Sequence, residues 1–62
     1  MLLYDLLRDN PDTLIKVYES SNLVYYETGE RILENIPDYW LKYLIEAYVE
    51  EDDFTIKAII LY

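Results

Sequence analysis

The sequence predicts an α+β fold. It reads as a small two-layer domain with a short N-terminal helix, a β-hairpin, a second helix and a C-terminal strand or hairpin, in a largely antiparallel sheet. Three observations predict it. Leucines at helical spacing open the chain, at Leu2, Leu3, Leu6 and Leu7. Alternating β-branched and aromatic residues fill 13–28 around a polar turn. A further alternating apolar run, 54–62, closes the chain. With 62 residues there is room for one domain, 1–62, since domains usually need at least about 50 residues.

The opening leucines share one face, with Asp5, Arg8 and Asp9 between them. This is an amphipathic helix of about two turns. Asn10-Pro11-Asp12 ends it, because the residue before proline is pushed out of the helical region. So short a helix is unstable alone and must dock its leucines on something.

Residues 13–19 form the first predicted strand, with Ile15 and Val17 on one face and Lys16 and Tyr18 on the other. Ser20-Ser21-Asn22 supplies turn chemistry. Residues 23–28 return as a second strand. Glu27-Thr28-Gly29-Glu30 closes the hairpin, with the only glycine placed where the chain must turn. Packing Val24 and Tyr26 inward beside Ile15 and Val17 leaves Tyr18, Leu23 and Tyr25 outward.

Residues 31–36 fit either an irregular crossover or a short helical turn. Ile36-Pro37-Asp38 is a helix start, with proline at the first helical position and an acid in the first turn. The next stretch, 38–51, admits two readings. As one long helix it places Trp40, Leu41, Leu44, Ile45 and Tyr48 on one side and pairs Asp38, Lys42 and Glu46 on the other. As a short helix, 37–43, followed by a strand, 44–50, it sets Ile45, Ala47 and Val49 against Glu46, Tyr48 and Glu50. The second reading is favoured, with Glu50-Glu51-Asp52-Asp53 as a hairpin turn into the last strand. In that strand Phe54, Ile56, Ala58 and Ile60 face one side, and Thr55, Lys57, Ile59 and Leu61 the other. In both readings Trp40 anchors the second helix to the sheet.

The layout resembles that of short acidic proteins of unknown function from phages and mobile elements of low-GC Gram-positive bacteria. The features that carry the resemblance are the leucine helix, the step Pro11-Asp12-Thr13 into a strand, and Gly29-Glu30 after the second strand. Ile36-Pro37-Asp38 and the acidic turn 50–53 before a final apolar strand complete it. The resemblance covers nearly the whole chain. It implies an origin and a fold, and no activity.

Composition excludes several functions. Thirteen acids against five bases give a net charge of −8, and there is no cysteine and no histidine. Disulfide scaffolds, Ser-His-Asp and Cys-His catalysis are absent by count, and a zinc site lacks both favoured ligand types. The bases Arg8, Lys16, Arg31, Lys42 and Lys57 are scattered, so the phosphate-neutralising patch of a nucleic-acid binder is missing. The opening apolar run contains Asp5 and lacks a basic lead, which argues against a signal peptide. No run approaches the roughly 20 apolar residues of a membrane span. The expectation is a cytoplasmic, non-enzymatic protein with no cofactor, no metal and no small-molecule substrate.

What remains is protein association. A chain of this length buries only about 60% of its unfolded surface, and small scaffolds of this kind commonly rely on a staple. With disulfide and metal removed, a protein partner or a homodimer is the staple left. The outward set Tyr18, Leu23, Tyr25, Tyr48, Ile59 and Leu61 is the candidate partner-binding face. Tyrosine is enriched at interfaces, and Ile59-Ile60-Leu61 is apolar on both faces, as in a strand covered twice. The alternative is a face half-buried under its own rings and long side chains. Glu50, Glu51, Asp52 and Asp53 form a candidate acidic patch for a basic partner. They fail the calcium-loop pattern, which spaces its ligands and turns on glycine. Nucleic-acid mimicry would require further dense rows of acids, and only residues 50–53 are dense.

Overall fold

The computed structural model describes residues 1–61, Leu61 through its backbone alone. In chain order the elements are α1 (Leu3–Asp9), β1 (Leu14–Glu19), β2 (Asn22–Thr28), α2 (Gly29–Asn35), a 3-10 helix (Asp38–Lys42), β3 (Leu44–Glu50) and β4 (Thr55–Leu61). The class is α+β, as predicted. Tyr62, assigned to the last predicted strand, lies outside the described residues.

The strands form one sheet in the order β2-β1-β4-β3. β1–β2 and β3–β4 are antiparallel hairpins, while β1 and β4 run parallel at the centre. Two hairpins thus lie side by side and share their inner strands. Across the parallel seam Ile15 sits beside Ile56 and Val17 beside Ala58. These four and Ile60 are buried in one cluster with Leu3, Leu6, Leu7, Ile32 and Ile36. The helices therefore cover one face of the sheet, and the predicted facing of β1 and of 55–60 in β4 holds.

α1 starts with the Leu2 N–H donating to the Asp5 carboxylate at 3.3 Å. It ends with the Asn10 side-chain amide donating to the Leu6 carbonyl at 2.8 Å. α2 occupies a segment left open between crossover and helical turn, and begins where a turn is predicted. Thr28 caps it, its hydroxyl accepting from the Arg31 N–H at 3.4 Å. Ile32 and Ile36, four residues apart, point into the core. Gly29 is the first residue of this helix and its φ is not positive. Its role is close approach: a Cβ there would lie 2.6 Å from the Leu7 carbonyl oxygen and closer still to that of Asn10. The end of α1 thus abuts the start of α2 backbone to backbone. The turn proper is made by Ser20-Ser21, with Ser20 in the left-handed region at φ 58°.

For 38–51 the short helix followed by a strand is the arrangement present. The strand is fixed at its start by the N-terminus. The Leu3 N–H donates to the Tyr43 carbonyl and the Ile45 N–H to the Met1 carbonyl, both at 2.8 Å. Leu2 and Leu44 form an antiparallel bridge between them. Trp40 packs against the core. Its ring meets Tyr25 edge-on, with centroids 5.6 Å apart at 88°, and lies 5.4 Å from Tyr43.

Three assignments of facing are corrected. Each outer strand carries a β-bulge opposite its inner partner. Val17 pairs with Tyr25 and Tyr18 with Leu23, so Val24 is an extra residue in β2. Ile45 pairs with Ile60 and Ala47 with Ile59, so Glu46 is an extra residue in β3. One inserted residue reverses the facing of everything beyond it. Tyr25 therefore turns to the helix side, beside Val17, while Val24 and Tyr26 are exposed. Tyr48 turns to the helix side, opposite Ala58, and Ala47 and Val49 move to the open face opposite Ile59 and Lys57. Phe54 precedes β4 and is 74% exposed. Its N–H donates to the Asp52 carboxylate at 2.7 Å, which holds it in the turn.

Candidate protein-binding face

The open face of the sheet is built from alternate residues of four strands. β1 contributes Leu14, Lys16 and Tyr18, and β4 contributes Lys57 and Ile59 at matched heights. β2 adds Leu23 and Tyr26 opposite Tyr18 and Lys16. β3 adds Leu44, Ala47 and Val49. Among the described residues no helix crosses this side: the buried apolar side chains of the helices join the cluster on the other.

Of the six residues predicted for this face, Tyr18, Leu23 and Ile59 are there together. Tyr25 and Tyr48 are on the opposite side, moved by the two bulges. The backbone of Leu61 pairs with that of Leu44, and the Leu61 side chain lies outside what is described. Sequence reading missed Tyr26, Leu44 and Val49. The usable signal for them was that 23–26 and 47–49 are apolar in both alternations, so either facing puts apolar side chains in the open.

The centre and flanks of the face differ. At the centre Lys16 and Lys57 lie side by side on the parallel strands and diverge over aromatic rings. Lys16 Nζ is 5.3 Å from the Tyr26 ring centroid and Lys57 Nζ is 4.9 Å from that of Tyr18. Tyr18 and Ile59 are half-buried. The flanks are bare: Tyr26 is 51% exposed on β2 and Val49 60% on β3. Lys16 also pairs with Glu51 at 3.1 Å. That hydrogen bond raises the Lys16 pKa above the ordinary lysine value, with burial opposing it in part.

No family model matches this chain. Neither the curated proteins nor the solved structures contain a significant match.

The predicted acidic patch is a hairpin turn whose members do different things. Glu51 is tied to Lys16, and its N–H donates to the Thr55 carbonyl at 2.9 Å. Asp52 accepts from Phe54. Glu50 ends β3 opposite Ile56, and Asp53 is exposed. Among the described residues no three acidic side chains converge to hold a metal ion. No helix among them is long and apolar enough to cross a membrane.

Proposed function

We propose that this chain is a small cytoplasmic protein-binding module, not an enzyme, and that a partner protein docks on the open face of its sheet. The observation that carries the reading is the one-sided sheet, with Leu23, Tyr26, Leu44 and Val49 each more than a third exposed on the side no helix covers. Large apolar side chains bared on both flanks of one sheet face support a docking surface. Lack of cysteine and histidine supports the non-enzymatic part.

The occupant is a foreign protein in preference to a second copy. Lys16 and Lys57 stand at the centre of the face, and two such faces stacked about 10 Å apart would bring four ammonium groups together. The net charge of −8 attracts a basic protein at long range, and the part of it that docks must set acids or acceptors against Lys16 and Lys57. A host nucleic-acid or defence enzyme, inhibited by the encounter, is a partner of that kind and agrees with the resemblance to phage proteins.

Leu23→Ser/Tyr26→Ser tests this, since both side chains are exposed and the fold is expected to survive. Immobilised wild-type protein should retain a host protein that the double variant loses and a Tyr39→Ser control on the 3-10 helix keeps. Retention by the double variant would refute the docking face. Sedimentation across a concentration range should give a monomer throughout. A dimer dispersed by the same double change would replace the foreign partner with self-assembly.

A further inference from the structure

β3 is an outer strand of the sheet, and its free edge is covered only at the start. Met1–Leu3 bonds to Tyr43 and Ile45 and bridges Leu44. From Glu46 to Glu50 nothing among the described residues lies alongside. Backbone polarity there follows from the turn. The Glu51 N–H points inward to Thr55, so alternation directs Val49 toward β4 and the N–H and C=O groups of Tyr48 and Glu50 away from it. These outward groups are a template for one more strand.

We propose that this edge receives a fifth strand from a partner protein, antiparallel to β3, in which lysine or arginine alternates with apolar residues. Direction comes from the protein itself, because Leu2 already pairs antiparallel with Leu44. The incoming strand takes the same direction beside Tyr48 and Glu50. The side-chain pattern comes from the register. Residues opposite Tyr48 and Glu50 lie on the helix side, and the residue opposite Val49 lies on the open face. A base facing Glu50 makes an opposite-charge cross-strand pair. A base facing Tyr48 repeats a contact the sheet already uses, since Lys16 and Tyr26 are cross-strand partners stacked in this way. Tyr48 is 48% exposed and, among the described residues, has no cation over its ring. An apolar residue facing Val49 extends the bare flank.

The same edge rejects a second copy. Antiparallel pairing of two β3 edges about Tyr48 runs Glu50 of each, counted through the bulge, toward Ile45 of the other, where Met1 already occupies the lane. Glu50 therefore selects a basic strand, and the Met1–Leu3 segment blocks self-pairing. This inference goes beyond the open-face reading, with which it shares only the β3 flank, and the two are tested apart because Leu23 and Tyr26 stand on β2 at the opposite edge.

The test is titration of the labelled full chain with three blocked hexapeptides, followed by NMR shifts and amide exchange. The alternating basic probe is Lys-Val-Lys-Ile-Lys-Val. The acidic probe replaces each lysine with glutamate, and the block probe places all lysines first. The basic alternating peptide should shift and protect Tyr48 and Glu50 saturably, and salt should weaken it. The acidic peptide should not bind, and the block peptide should bind at least severalfold more weakly. Equal binding by alternating and block peptides, or shifts centred on Tyr18 and Ile59, would overturn the proposal. Tyr48→Pro removes an outward donor without touching the β4 ladder and should abolish protection. Glu50→Lys should weaken the basic peptide up to about tenfold. A Glu50→Lys variant that folds and binds the basic peptide as before would equally refute the assignment.

Discussion

Both hairpins place an inner strand at the parallel seam and an outer strand interrupted by one bulge, yet the side chains that the two bulges turn inward fare differently. In the first, the bulge at Val24 turns Tyr25 inward to meet Trp40, and α2 packs beside β2. In the second, the bulge at Glu46 turns Tyr48 to the helix side, where among the described residues no ring stacks on it and it stays 48% exposed. A bulge chooses which side chain faces in. Whether that choice stabilises the fold depends on what stands opposite. Both outer strands are edges of the sheet; the side chain turned inward by the first bulge meets Trp40, and that turned by the second is 48% exposed.

The contrast can be broken most forcefully at the seam. Ile15→Ala should cost about 2–5 kcal/mol, the range for emptying a fully buried aliphatic site. Ile45→Ala, on the half-covered start of β3, should cost nearer 1–2 kcal/mol. Denaturant unfolding of both variants checks the order, and equal losses would mean that β3 is as well packed as the centre. Next comes the tyrosine pair. Tyr25→Ser should lower stability by about 2 kcal/mol through loss of the Trp40 contact and its buried area, and Tyr48→Ser by less than about 0.5 kcal/mol. Reversed values in thermal melts would show that the bulges had been assigned the wrong way round. Gly29→Ala should cost about 1–3 kcal/mol, because the new methyl group meets the Leu7 and Asn10 carbonyls. It should do so without altering hydrogen exchange in β3 relative to the rest, since the clash lies between α1 and α2.

The smallest effect is electrostatic. The Lys16 pKa is raised in the fold by its hydrogen bond to Glu51. Its contribution is therefore complete below the unfolded lysine value, near about 10.4, and is lost as pH rises through the higher folded value. Stability of the wild type should fall along that alkaline limb more than that of Glu51→Gln. The two curves should run parallel at neutral pH and below as far as Lys16 is concerned. An exposed pair of this kind has little energetic weight, so NMR titration of the Lys16 side chain is the sharper measurement.

How much of this was legible in the sequence follows the same division. Strong contrast between apolar and polar positions settled β1 and β4: Ile15 and Val17 against Lys16, Ile56 and Ala58 against Lys57. The leucine helix and the order of elements were equally plain. The outer strands were not, because Leu23-Val24-Tyr25-Tyr26 and Ala47-Tyr48-Val49 are apolar in both alternations. A one-residue slip there carries no penalty that the sequence displays, and neither bulge is marked by glycine. Tyr25 is decided by Trp40, fifteen residues on, which only the folded chain brings near. α2 was hidden because Gly29-Glu30 resembles a turn; Thr28 as a cap and Ile32 with Ile36 were the signals that identify it. Of the candidate face, Tyr18, Leu23 and Ile59 were found from alternation. Tyr26, Leu44 and Val49 required the register.

The hydrogen bond from Ile45 to the Met1 carbonyl has a practical corollary at the bench. Any purification tag fused ahead of Met1 leaves the molecule pointing along β3 toward Tyr48 and Glu50, where no described residue lies alongside. A polyhistidine leader, basic when protonated and extended, could lodge there and masquerade as cargo. Affinity work on this protein therefore calls for the leader to be cleaved away, and a tagged preparation that ignores an otherwise effective peptide would be reporting on its own handle.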